Sequence, residues 1–147
     1  MTVAVGQQAP DFTLVNQDNE KVTLSELRGT PVVLVFYPFA FSGTCTAEMC
    51  DIRDNYDSWM EKGAQVFAIS RDSRFVQAVF KKQEGFKHTL LADTKGEAAQ
   101  AYGVWNEAVH AAERATFVVD KDGKVAYAIH NKIPDARDHA EVEQHIG

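Results

Sequence analysis

The chain has 147 residues, 45% hydrophobic and 24% charged, the ordinary balance of a soluble globular protein and enough for one domain, 1–147, with a real core. A formal net charge of −6, with Lys81-Lys82 on a solvated helix face as the densest basic cluster, argues against nucleic acid or an anionic membrane as partner. Two cysteines are too few for a disulfide scaffold, which points to the reducing cytoplasm and to thiols kept for chemistry.

The opening MTVAVGQQAPDFTL has no Lys or Arg before Lys21 and no apolar signal core, so no secretory signal is expected. FTLV and KVTLSEL, separated by NQDNE, predict two short strands joined by a turn, then a brief helical piece. PVVLVFY (31–37) is a continuous β-branched and aromatic run, the pattern of a strand buried on both faces. The apolar stretch Pro31 to Phe41 is too short and too interrupted by Pro to span a bilayer.

After Cys45 the period changes. Met49, Ile52, Tyr56 and Trp59 form a helical stripe that stops at Gly63. AQVFAIS (64–70) predicts a second buried strand. SRFVQAVFKKQEG predicts a helix with Phe75, Val79 and Phe80 inward and Gly85 as its stop. HTLLAD and GEAAQAYGV give a short strand and a short helix, and KDG joins ATFVVD to KVAYAIH as a hairpin. The end, from about Asp135, is polar and expected to be helical. This order implies an α/β fold with a central mixed β-sheet flanked by helices and an N-terminal β-hairpin. A thioredoxin-like fold satisfies it, and so do other α/β sandwiches.

Both cysteines lie in YPFAFSGTCTAEMC, five residues apart. That spacing is too wide for a C-x-x-C motif, and no second pair completes a zinc knuckle. Ser42, Gly43 and Thr44 are turn and N-cap types, which puts Cys45 in the first helical turn. Unpaired N–H groups and the helix dipole stabilise a thiolate there. A free thiol of pKa ~8.5 is only about 3% ionised at pH 7, and a drop of two units is worth roughly 2.7 kcal/mol. Position alone also suits a buried sulfur acting as a small hydrophobe. Cys50 lies about 140° round the helix from Cys45. Its face-mates Thr46, Arg53 and Asp57 place it near the surface. In an intact helix the two Cα atoms are about 8.6 Å apart, beyond the ~7 Å limit of a disulfide. Any pairing of the two therefore needs the first turns to unwind.

Pro38-x-x-x-Ser42-x-x-Cys45 resembles the P-x-x-x-T/S-x-x-C signature of peroxiredoxins. VGQQAPDFTL, AYGVWNE and RATFVVDKDGKV are similar to the same family in the same order, so the resemblance covers nearly the whole chain. PFAFSGTC and GVWNE resemble most the AhpE-like group (alkyl hydroperoxide reductase E). The resemblance implies a thioredoxin-like fold and a thiol-dependent peroxidase that needs no metal or other cofactor. Cys45 would be the peroxidatic cysteine and become a sulfenic acid. Ser42 would hydrogen-bond peroxide and thiolate, Pro38 would shape the pocket, Arg114 would lie near sulfur and peroxide, and Glu48 would orient Arg114. Each has a plainer structural alternative: a strand end at Pro38, an N-cap at Ser42, a helix-dipole carboxylate at Glu48, a surface pair for Arg114 with Glu113 or Asp120. Trp105 and Phe41 fit either pocket walls or core, and His110 fits the surface.

The AhpE-like group is described as working with one cysteine, so Cys50 is extra. A Cys five residues after the peroxidatic one resembles peroxiredoxin Q (bacterioferritin comigratory protein), which implies that Cys50 resolves the sulfenic acid as an intramolecular disulfide. The implied partners are a hydroperoxide and a reductant: thioredoxin, a glutaredoxin- or mycoredoxin-like protein, or a low-molecular-weight thiol. A homodimer is the family expectation. Two alternatives stay open: a one-cysteine peroxidase resolved by an external thiol, and a redox sensor that passes oxidation to a client.

Overall fold

The computed structural model describes residues 2–133, 137, 139 and 141–146, with the side chains of Thr44 and Cys45 outside the description. Among the described residues the main sheet has seven strands, in the order β2 (Lys21–Thr23), β1 (Thr13–Asn16), β5 (Thr89–Ala92), β4 (Gln65–Ser70), β3 (Val32–Phe36), β8 (Arg114–Val119) and β9 (Val125–Asn131). The central strand β3 (Val32–Phe36) is buried at every residue. It runs parallel to β4 (Gln65–Ser70) and antiparallel to β8 (Arg114–Val119). Strand alternation sends Val33 and Val35 to one face and Leu34 and Phe36 to the other. The first pair packs with Met49, Ile52 and Trp59 of α1 (Gly43–Glu61) and Phe80 of α2 (Arg74–Glu84). The second packs with Phe117, Tyr102 and Ala98 and Ala99 of α3 (Glu97–Ala101). A continuous apolar run is the consequence of covering both faces.

β1 (Thr13–Asn16) and β2 (Lys21–Thr23) make the expected N-terminal hairpin, and β1 also pairs antiparallel with β5 (Thr89–Ala92). Asn16 builds the turn: its Oδ1 accepts from the backbone N–H of Asp18 and of Glu20, both at 2.9 Å. A 3₁₀ turn follows at Leu24–Leu27. β8 turns into β9 (Val125–Asn131) through Asp120, whose Oδ1 accepts from the N–H groups of Asp122 and Lys124. A small second sheet of β6 (Trp105–Asn106) and β7 (Ala111–Ala112) leads into Arg114 and was not foreseen. The parallel β3–β4–β5 run with antiparallel β8–β9 beside it is the thioredoxin-like arrangement. Among the described residues no helix is long and apolar enough to cross a membrane.

Two expectations fail in α2. Phe75 and Val79 are 65% and 57% exposed, while Gln77 and Phe80 are buried. Ser73 fixes the helix start by accepting from the Val76 N–H. Each of the two apolar residues stands two positions from Gln77, about 200° round the helix. Gln77 takes the inward position because its amide nitrogen donates to Ser70 Oγ and to the Asp72 and Leu91 carbonyls, so a polar donor finds its acceptors where periodicity called for an apolar residue. Arg74 covers the Phe75 ring at 4.0 Å. Nor is Lys81 a simply solvated charge. Its ammonium donates to the carbonyls of Lys87 and His88. The helix expected from about Asp135 begins outside the described residues, and Val142–His145 within them form a 3₁₀ turn.

Candidate active site

β3 delivers the chain to the N-terminus of α1 at one end of the sheet. Tyr37 and Pro38 are buried directly after the strand, and Ser42, half-buried, precedes the helix. The Ser42 carbonyl accepts from the Thr46 N–H at 2.8 Å, the first helical bond. Position 45 therefore lies in the first turn, among backbone N–H groups with no intrahelical acceptor. The Cys45 side chain itself lies outside the described structure.

Glu48 stands one turn further along the face that carries position 45. It is buried, as is Arg114 on β8. Pairing of Phe36 with Ala115 brings Arg114 level with the end of β3. Arg114 Nη1 donates to Glu48 Oε1 at 2.5 Å, and its Nε donates to the Ile133 carbonyl. Arg114 is thus an interior residue, and the surface pairing with Glu113 or Asp120 does not occur. Glu113 instead meets His130 and Asn106.

Sequence reasoning missed a second buried guanidinium. Arg137 grips Glu48 by three donors: backbone N–H at 2.6 Å and Nε at 3.0 Å to Oε2, and Nη2 at 2.9 Å to Oε1. Its Nη1 donates to the carbonyls of Phe36 and Ala115 and to Thr116 Oγ1. Thr116 Oγ1 is also 2.9 Å from Nε2 of the buried His139, whose Nδ1 is 3.6 Å from Asp51. No local signal marks Arg137 or His139: both sit in a polar stretch and find their partners only through the fold. Burial pushes the Glu48 carboxyl up. The hydrogen bonds and charge of Arg137, with the charge of Arg114 added, outweigh it and hold the group below its ordinary value. One carboxylate held between two guanidiniums makes a buried cluster of charges beside the first turns of α1.

Cys50 lies near the surface, as its face-mates implied, though not freely exposed. It is half-buried against the apolar cluster under α1, because the last turn of α2 crosses its face. Its Sγ donates to Glu84 Oε1 at 3.8 Å, while Arg53 Nη1 donates to the Glu84 carbonyl at 2.8 Å. Burial pushes the thiol up, Arg53 pulls it down, and Glu84 adds to a net rise. α1 is unbroken from Gly43 to Glu61, so positions 45 and 50 stand at helical separation.

Phe41 is largely exposed with its ring 4.8 Å from Phe80. Trp105 is half-buried against the core with exposed His110 at 4.9 Å. Among the described residues no group of three His, Cys, Asp or Glu side chains is placed to hold a metal.

The profile of the AhpC/TSA family matches residues 5–128. Peroxiredoxin Bcp of Bacillus subtilis is 36% identical over 131 residues, covering 85% of this chain and 83% of its own. Alkyl hydroperoxide reductase E of Mycobacterium tuberculosis is 39% identical over 137 residues, 91% of this chain and 90% of that one. Among solved structures, AhpC of Enterococcus faecalis superposes with a TM-score of 0.91 at 27% identity, covering 99% of this chain and 91% of that one. The peroxidoxin BcpB of Mycobacterium tuberculosis gives a TM-score of 0.85 at 33% identity, over 97% and 93%.

Proposed function

The chain belongs to the AhpC/TSA family and is a thiol-dependent peroxidase, and from that premise we propose that Cys45 carries the reaction. Its thiolate attacks one oxygen of a hydrogen peroxide or organic hydroperoxide. The O–O bond breaks, sulfur takes that oxygen as sulfenic acid, and the other oxygen leaves with a proton as water or alcohol. The observation that carries this reading is the buried Arg114–Glu48–Arg137 cluster against the face of α1 that holds position 45. Arg114 stabilises the thiolate and the charge on the leaving oxygen, and cannot lose its own proton. Glu48 orients Arg114, Ser42 hydrogen-bonds the peroxide, and buried Pro38 keeps water from the sulfur. The chemistry draws on these side chains alone, without a cofactor.

Cys50 then attacks the sulfenic sulfur, releasing water and forming the Cys45–Cys50 disulfide. Because α1 is intact, this step requires residues 43–50 to unwind and Cys50 to leave Glu84. Thioredoxin, a glutaredoxin- or mycoredoxin-like protein, or a small thiol restores both cysteines in the cytoplasm. A second reading has its own observation. Cys50 is half-buried, bonded to Glu84 and raised in pKa, which favours a one-cysteine cycle resolved by an outside thiol. Relay of oxidation to a client protein uses the same first step. The exposed Phe75, Val76 and Val79 on α2 support the expected homodimer, measurable by sedimentation equilibrium. A monomer at all concentrations counts against it.

Intact mass after one equivalent of peroxide separates the cycles. A loss of about 2 Da with no blockable thiol, intrachain on a non-reducing gel, supports the disulfide. A gain of one oxygen with Cys50 still blockable overturns it in favour of the outside thiol. A Cys45→Ser variant that consumes peroxide at the wild-type rate sinks the whole assignment.

A further inference from the structure

The turn between β3 and α1 is strained. Phe41 sits at φ 66°, a left-handed conformation that an aromatic L-residue holds only when its surroundings over-determine it. Those surroundings come from one neighbouring segment, the junction of β4 with α2. The Ala40 N–H donates to Asp72 Oδ2 at 2.8 Å. The Arg71 guanidinium lies 5.8 Å from the Phe39 ring centroid, and Phe80 packs on Phe41. Asp72 is itself fixed from behind. Ser70 Oγ donates to Asp72 Oδ2 at 2.7 Å and accepts from the Asp72 N–H. Gln77, fully buried, donates through Nε2 to Ser70 Oγ at 3.0 Å and to the Leu91 carbonyl at 2.9 Å. A chain of hydrogen bonds thus runs from β5 through α2 and β4 to a single backbone N–H in the strained turn.

We propose that Asp72 is a positioning residue for peroxide reduction: its carboxylate holds the Ala40–Phe41 turn so that Ser42 and the first turn of α1 keep their N–H groups aimed at position 45. The proposal rests on Cys45 being the attacking thiol. Asp72 acts only through the turn. Of the contacts it makes, the bond to Ala40 alone reaches the β3–α1 segment, and that bond needs an acceptor oxygen rather than a charge. Asp72→Asn, which keeps that oxygen, should therefore stay close to wild type.

The test is stopped-flow measurement of the first oxidation by hydrogen peroxide, across pH, with a urea midpoint for each variant. Asp72→Ala should slow the second-order rate constant about tenfold, a loss of about 1.4 kcal/mol. Its pH profile should shift upward, since looser N–H groups stabilise the thiolate less. Asp72→Asn should stay within about threefold of wild type. Phe41→Gly removes the strained side chain, so Asp72→Ala in that background should cost clearly less than in the native one. An Asp72→Ala protein with a lowered urea midpoint but native rate and pH profile overturns the proposal, because the contact is then structural only. A tenfold loss in Asp72→Asn, or full additivity with Phe41→Gly, overturns it as well. Should Asp72→Ala not fold, the Asn variant and the double variant still decide. Failure of the underlying reading looks different: Cys45→Ser would then retain the fast phase, whatever Asp72 does.

Discussion

Replacing Glu48 by Gln keeps the shape of the side chain and removes the negative charge between two buried guanidiniums. Glu48 accepts from Arg114 Nη1 and from the Nε, Nη2 and backbone N–H of Arg137. A Gln amide offers one oxygen and turns its NH₂ toward donors, so at least one contact becomes donor against donor. Leaving buried cations without their counter-charge costs about 3–5 kcal/mol. With a urea slope of about 2 kcal/mol per M, the unfolding midpoint at pH 7 should fall by about 1.5–2.5 M. The folded carboxyl lies below its ordinary 4.5. Its contribution is therefore complete above pH 4.5 and is lost as pH falls through the folded value. The gap between wild type and Glu48→Gln should be widest at neutral pH and should close in acid. A loss under about 1 kcal/mol at pH 7, or a gap unchanged down to pH 3, would refute the claim that the charge of Glu48 holds this cluster together.

Cys50→Ser should leave the first oxidation fast, slow thioredoxin-driven turnover and raise the overoxidised fraction seen by mass; unchanged turnover removes Cys50 from the cycle. Gly96→Ala should lower stability by about 1–3 kcal/mol, because Gly96 has φ 71° and an added Cβ would meet the Trp105 ring at 2.6 Å; an unaltered melting temperature contradicts this. His88 is fully buried with both ring nitrogens unpartnered, and burial with the Lys81 charge pushes it down to about 3. Stability from keeping it neutral is complete above its ordinary 6.5 and declines as pH falls toward 3. Its ring NMR signals should show no protonation step at pH 5, and a midpoint near 6.5 would contradict its burial.

What the sequence made legible follows from how local each signal is. β3, the stripe of α1 and the Asp120–Lys124 turn are written in adjacent residues, and the structure has them where periodicity put them. Arg114 and Glu48 were reached through motif resemblance, since nothing around either residue shows that they meet. Arg137 was invisible, because a buried Arg in a polar segment carries no periodic mark. α2 misled for a related reason. Burial there follows the hydrogen-bonding needs of Ser70 and Leu91, which Gln77 meets and no apolar residue could. The residues of its own helix placed Cys50 near the surface, where it is, but could not show the turn of α2 that partly covers it.

The grip of Arg137 on Glu48 also sets a clock on synthesis. The two residues are 89 positions apart, and a ribosome adding about 5–20 residues per second needs about 4–18 s to get from one to the other. For that interval the nascent chain carries Cys45 and Glu48 without the donor that claims most of the carboxylate. Until Arg137 is added, Glu48 can pair only with Arg114. On the proposed mechanism, with Cys45 as the attacking thiol, full reactivity toward peroxide waits until Arg137 has joined Glu48. Ribosome-stalled chains ending before that residue should react with peroxide more slowly than the complete chain.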